Sequence, residues 1–200
     1  MISHLRGALL EKHPSQVIVD VNGVGYELTI PVSAYSSLPE PGEPVQFHVH
    51  THVREDALTL FGFRAVSDKA LFEKLITVSG IGPKLAITAL SGLTATDLVA
   101  AIRSGAVEQL VRIPGVGKKT AERMVLELRD KLDLLGVPPR AGSVAPTLSA
   151  FSATEEDVIS ALMNFGANRQ AAEGAVTKGR STTESNDFDA LFRRALKLVR

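Results

Sequence analysis

The chain repeats itself in its middle. Leu75-Ile76-Thr77-Val78-Ser79-Gly80-Ile81-Gly82-Pro83-Lys84-Leu85-Ala86 aligns, 35 residues later, with Leu110-Val111-Arg112-Ile113-Pro114-Gly115-Val116-Gly117-Lys118-Lys119-Thr120-Ala121. A leucine, both glycines, a lysine and an alanine coincide, and β-branched residues coincide beside them. Each copy reads as helix, tight Gly-x-Gly turn, helix. Ile81 and Val116, between the glycines, are expected to fix each turn to the core. One copy would be explained by a tight helical turn alone. Two in register, each followed by lysine, point to a shared task.

The chemistry of such a turn favours phosphate. Glycines adopt backbone conformations closed to other residues and let a ligand approach the main chain. The first N–H groups of the following helix have no partner within it and lie at the positive end of its dipole. Pro83 suits a first helical turn because it has no N–H to satisfy. Lys84, Lys118 and Lys119 add full charges, and Arg123 falls four residues after Lys119, one helical turn on. The expected DNA contacts are Ser79, Gly80, Ile81, Gly82 and Lys84 in the first unit. In the second they are Pro114, Gly115, Val116, Gly117, Lys118, Lys119 and Arg123. Contacts of this kind hold the backbone and read no bases, so selectivity for DNA shape is expected. Neither unit is a nucleotide-binding P-loop. Counting back from Gly117-Lys118, the required first glycine is Arg112, and Lys119 replaces the Ser/Thr.

The flanks differ from this helical centre. In residues 1–64, Val17, Val19 and Val21 alternate with Ile18 and Asp20, and Asn22-Gly23 supplies a hairpin turn. Tyr26, Leu28 and Ile30 keep the two-residue period. Val45, Phe47, Val49, Thr51 and Val53 alternate with Gln46, His48, His50 and His52. Arg54-Glu55-Asp56-Ala57 interrupts that run before Leu58–Phe63 resumes it, which places the acidic pair at a hairpin tip. Short strands at this density suggest an OB-fold barrel. Residues 65–136 read as the tandem helix-hairpin-helix domain, and 137–153, rich in Pro, Gly and Ser, as a flexible linker. Residues 154–200 read as a three-helix, UBA-like bundle. There Thr154 is the expected first N-cap, Val158, Ile159, Leu162 and Phe165 form one face, Gly166 is the stop and Asn168 the second cap. The fold class is therefore multidomain α+β.

A net charge of zero is unusual for a DNA binder. The charges are unevenly shared: residues 1–64 hold 4 Lys/Arg against 7 Asp/Glu, 65–136 hold 10 against 8, and 137–200 hold 8 against 7. The absence of cysteine excludes disulfides and thiolate chemistry. No apolar run approaches the ~20 residues of a membrane span, and the first residues lack the pattern of an export signal. A cytoplasmic protein without membrane contact is expected. His48, His50 and His52 share a strand face, but no flanking carboxylate completes a metal site, so no metal and no cofactor are expected. Tyr26, Phe47, Phe61 and Phe63 could stack unpaired bases; core packing suits most of them better. Adjacent strand residues point to opposite faces, which argues against Glu55 and Asp56 as a catalytic pair.

The order of these parts resembles the RuvA family, the bacterial Holliday-junction-binding subunits of the RuvAB branch-migration machine. The resemblance rests on Val53-Arg54-Glu55-Asp56-Ala57-Leu58-Thr59-Leu60-Phe61-Gly62-Phe63, both hairpins, the linker and the helical tail. It implies a non-catalytic subunit acting in homologous recombination and DNA repair. It further implies a homotetramer, sometimes an octamer, that holds a four-way junction open and square-planar. Glu55 and Asp56 would form an acidic pin where strands separate. The tail would bind the hexameric RuvB ATPase through Leu162, Phe165 and Leu196, and the RuvC resolvase would join a larger complex. A helix-hairpin-helix glycosylase or nuclease is the alternative, but Asp130 and Asp133 continue the same helical stretch and no base-flipping pocket is evident. A structural adaptor acting through the tail is a third reading.

Overall fold

The computed structural model describes residues 1–129, 131–132, 151–180 and 188–198. They belong to two compact units, Met1–Ser143 and Val144–Arg200. Residues 137–150 of the expected linker, together with Asp130, Asp133 and Val199, lie outside the described residues.

The first unit begins with five strands: β1 His4–His13, β2 Gln16–Val21, β3 Val24–Thr29, β4 Pro44–Val53 and β5 Leu58–Phe63. They close a barrel in the order β1-β2-β3-β5-β4. β3 and β5 run parallel, and every other pairing is antiparallel. Asn22 and Gly23 turn β2 into β3 with φ of 53° and 87°, the positive values a two-residue hairpin of this hand requires. The Asp20 carboxylate accepts the Gly23 N–H at 2.7 Å and holds that turn. Leu9, Val17, Val19, Leu28, Phe47 and Val49 fill the interior, following the two-residue period of the sequence.

β1 lacks that clear period, because it serves two neighbours. Its first half pairs with β4 and its second with β2, and a bulge lies between Leu9 and Glu11. Such bulges bend and twist a strand, which is what closure demands. Gly7 sits where the bend brings β2 close: a Cβ there would collide with the Asp20 carbonyl oxygen.

Helices α1 Val32–Tyr35, α2 Val66–Leu75, α3 Pro83–Gly92, α4 Ala95–Ser104, α5 Val107–Val111 and α6 Lys118–Leu128 complete this unit. Leu71, Leu75 and Val78, spaced along one helical face, are buried. Phe61 and Phe63 lie in the core of the helices, not of the barrel. Phe72 of α2 receives them at ring-centre distances of 5.1 and 4.9 Å. Ser33 donates to the Leu90 carbonyl at 2.9 Å, and the Val32 N–H to Ser91 Oγ at 3.0 Å. Phe61 and Phe63 of β5 therefore tie the barrel to the hairpins, although each part keeps a core of its own.

The second unit comprises α7 Ala153–Asn164, α8 Arg169–Arg180 and α9 Phe188–Leu198, packed around Val158, Ile159, Leu162, Ala172, Ala175, Val176 and Ala195. Its first N-cap is Ser152, not the expected Thr154. Ser152 Oγ accepts the Glu155 N–H while the Glu155 carboxylate accepts the Ser152 N–H at 2.6 Å, a reciprocal capping box. Gly166 follows α7 with φ of 94°, and Asn168 Oδ1 accepts the Ala171 N–H at 2.7 Å at the start of α8. Among the described residues no single helix is long and apolar enough to cross a membrane.

Candidate nucleic-acid interface

The two repeats fold into the same turn. Gly80 and Gly115 take φ of 92° and 85°, a region that disfavours any side chain. Gly82 and Gly117 then serve as extended N-caps of α3 and α6, with φ/ψ of −88°/171° and −83°/168°. The Ile81 N–H bonds to the Val78 carbonyl and the Val116 N–H to the Ile113 carbonyl, both at 3.0 Å. Ile81 and Val116 are buried in the helical core, so each turn is anchored from beneath while its glycines face outward. Neither α3 nor α6 has a side-chain cap. At α4, by contrast, Thr94 Oγ accepts the Asp97 N–H at 3.1 Å. Glycine N-caps leave the first N–H groups of α3 and α6 to an outside acceptor.

Around these turns Ser79, Lys84, Pro114, Lys118 and Lys119 are exposed. Among the described residues none of the three lysines has an ion-pair partner, so their charge is uncompensated. Arg123 is also exposed, but its Nη1 donates to Ser79 Oγ at 3.1 Å and to the Ser79 carbonyl at 3.4 Å. Spacing on α6 gives no sign of this bridge, which spans 44 residues.

The acidic pair occupies the tip of the β4–β5 hairpin. Val53 pairs with Leu58 as the last rung, and the Arg54 N–H bonds to the Ala57 carbonyl at 2.8 Å, leaving Glu55 and Asp56 as the two central residues. Both carboxylates are exposed and have no ion-pair partner among the described residues. Val53 and Leu58 are exposed below them, so the tip extends beyond the packed barrel. A cleft of about 650 Å³ runs from the base of this tip to the first hairpin, lined by His52, Arg54, Asp56, Thr59, Gly82 and Lys84 among others. Pin and hairpin thus meet along one groove.

The histidines have structural partners. His50 Nδ1 lies 3.2 Å from Glu73 Oε1, with its ring edge on Phe72 at 5.2 Å. Arg54 Nε donates to His52 Nε2 at 3.1 Å, and His48 meets His4 at 5.7 Å. Among the described residues no three His, Asp or Glu side chains group to hold a metal. Phe47, Phe61 and Phe63 are buried, which removes them as stacking platforms.

In the tail the expected partner residues divide. Phe165 is 73% exposed and Leu196 42%, whereas Leu162 is only 1% exposed. Leu162 is therefore corrected to a core residue: it packs with Val158 and Ala175 and presents no surface to a partner. Phe165 instead leans on Phe192 at 5.8 Å, which stacks on Phe188 at 5.7 Å. These rings form an aromatic row, of which only Phe165 is among the expected partner residues.

Comparison with known proteins agrees with this architecture. Residues 1–62 match the family described as RuvA N terminal domain, and residues 72–130 match the SAM-like Helix-hairpin-helix tandem. Curated relatives named Holliday junction branch migration complex subunit RuvA align along the whole chain. The protein of Solibacter usitatus is 57% identical over 202 residues, covering 100% of both chains. That of Acidobacterium capsulatum is 54% identical, again covering 100% of both. That of Geobacter sulfurreducens is 46% identical, covering 100% of this chain and 99% of its own. With barrel, paired hairpins and helical tail in the same order as these full-length relatives, the chain belongs to the RuvA family.

Proposed function

We propose that the protein is the DNA-binding subunit of a Holliday junction branch migration complex, not itself a catalyst, and that it works in the cytoplasm. The observation that carries this reading is the joining, in one compact unit, of two matched phosphate-binding turns and one bare acidic tip. Residues 1–64 supply the barrel and pin, 65–136 the grips and 137–150 a tether; the coupling module takes in residues 151–153 of the expected linker, since Ser152 caps α7.

The grips act on the backbone of duplex arms. Main-chain N–H groups of Gly80, Gly82, Gly115 and Gly117 and of the following helical turns donate to phosphates, and Lys84, Lys118 and Lys119 add charge. Ile81 and Val116 hold the turns in shape, through buried side chains and through N–H groups bonded to Val78 and Ile113. Such grips are individually weak. A four-fold ring of subunits sums them where four arms converge, and a tetramer or a face-to-face octamer supplies that ring.

Glu55 and Asp56 act by repulsion. Gathered near a four-fold axis, they push phosphates outward, which a continuous duplex cannot obey and an open junction can. The exposed Phe165 and Leu196 of the tail then recruit the RuvB ATPase hexamer, which supplies the work of strand exchange. A RuvC resolvase takes the junction from the same assembly.

The test is reconstitution with the ATPase partner on a synthetic mobile junction. Branch migration that needs ATP, both proteins and a four-way substrate, without strand cleavage by this chain, is the expected result. Cleavage or base excision by the chain alone would instead make it an enzyme.

A further inference from the structure

The two phosphate-binding turns are braced against each other. Arg123 stands in the second turn of α6, yet its guanidinium bonds to Ser79, the residue immediately before Gly80. A second support runs the opposite way. A Cβ on Gly115 would lie 3.1 Å from Leu85 Cδ1, so the second turn rests on the residue after Lys84. Helix α6 thus reaches the first turn while α3 supports the second.

The repeat departs from symmetry where the brace needs it to. Ser79 aligns with Pro114 and Arg123 with Thr88. Pro114 offers no side-chain acceptor, and Thr88 spends its hydroxyl on the Lys84 carbonyl at 3.0 Å. Only one of the two possible cross-links can form. The arginine suits the task because it remains charged and its planar fork loses little freedom when it bonds.

We infer that Arg123 is a positioning residue that sets the spacing between the two hairpins, and that its bond to Ser79 tunes DNA affinity without a phosphate ligand at Arg123. A short duplex arm is stiff on the scale of a protein, with a persistence length of ~50 nm, so its phosphates present a fixed spacing. Two grips held at that spacing bind as one unit, whereas two that move independently must each be ordered on binding. This inference rests on the proposed junction-binding function.

The experiment uses the full chain with Ser79→Ala, Arg123→Ala, the double variant and Ser79→Thr. Dissociation constants for a synthetic four-way junction are measured over a range of salt concentrations. Each alanine variant should weaken binding about three- to tenfold, within the range of coupled polar pairs. The double variant should be no weaker than either single one. The slope of log affinity against log salt should match the wild type, and Ser79→Thr, which keeps the hydroxyl, should bind like the wild type. A flattened slope for Arg123→Ala with Ser79→Ala unaffected would make Arg123 a phosphate ligand and overturn the proposal, as would multiplying losses in the double variant. Hydrogen exchange on the DNA-free protein gives an independent reading: both alanine variants should speed amide exchange at residues 79–82. Unchanged exchange there defeats the brace whatever binding does, while a wild type that does not prefer junctions defeats only the functional reading.

Discussion

The ring of Phe63, on the last barrel strand, lies 4.9 Å from the ring of Phe72 on the helix that follows. Phe72 also meets Phe61 at 5.1 Å and His50 at 5.2 Å. The last barrel strand, which follows the acidic tip, is therefore packed into the core of the hairpins, and the barrel and the helices after it should unfold together. Phe72→Ala should cost about 3–5 kcal/mol, the usual range for a buried aromatic. Urea unfolding followed separately by strand and helix signals checks this. Two resolved transitions in the wild-type first unit would contradict this coupling.

The lysines make a second prediction. Lys118→Ala with Lys119→Ala should weaken junction binding to a similar degree for arms of any sequence. The salt slope should fall by about 0.9 for each phosphate that is no longer neutralised. Affinity and slope both unchanged across a salt titration would remove these side chains from the interface.

Asp68 provides a prediction in pH. It is half-buried in the first turn of α2, and burial raises its carboxyl pKa, only partly offset by the hydrogen bond from Ser67. The folded state therefore holds this proton more tightly than the unfolded chain. Stability contributed by the neutral acid is lost as pH rises through the acid range to the raised folded value, and at neutral pH the charge is a net cost. Asp68→Asn should raise the melting temperature at neutral pH, and its advantage should shrink in the acid range where Asp68 is protonated. A wild type more stable than Asp68→Asn at neutral pH would show that the α2 dipole outweighs burial.

What the sequence disclosed was local and periodic. The Asn22-Gly23 turn, the alternating Val45–Val49 run and the two Gly-x-Gly turns each need particular residues at fixed short spacing, and each is found where that spacing put it. What it concealed depends on partners far along the chain. β1 changes neighbours at a bulge, which breaks its period. Phe61 and Phe63 look like barrel residues by alternation, but alternation does not say which core each face meets. Leu162 and Phe165 share an apolar run at α7, yet three residues of offset carry one into the core and leave the other exposed. At the start of α7 the expected cap Thr154 gives way to Ser152, two residues earlier, because Glu155 completes a box with Ser152. The Arg123–Ser79 bridge has no periodic trace at all.

The tail separates coupling from binding. A chain ending at Ser143 keeps the whole first unit and should bind junctions like the full chain while failing to support ATP-driven migration. Within the full chain, Phe165→Ala should weaken capture of the ATPase and leave tail stability nearly unchanged, since that ring is exposed. Leu162→Ala should instead destabilise the helical bundle by about 2–5 kcal/mol. Pull-down with the ATPase and thermal unfolding distinguish the two. Full migration activity in the truncated chain would give the tail another task.

As proposed, the acidic tip trades affinity for selectivity. Arg54 and Ala57 close the turn through their backbones, so Glu55→Gln with Asp56→Asn should change charge and leave the hairpin folded. At the crossover, phosphates would approach within the ~8 Å over which physiological salt screens incompletely. Duplex laid across the centre meets that repulsion in full, while an open junction routes its strands around it. The deciding measurement is the ratio of duplex to junction dissociation constants, compared between wild type and this double amide variant at the same salt and oligomeric state. The ratio should fall, because duplex binding tightens more than junction binding. An unchanged ratio would contradict this and reduce the acidic pair to a solvated turn.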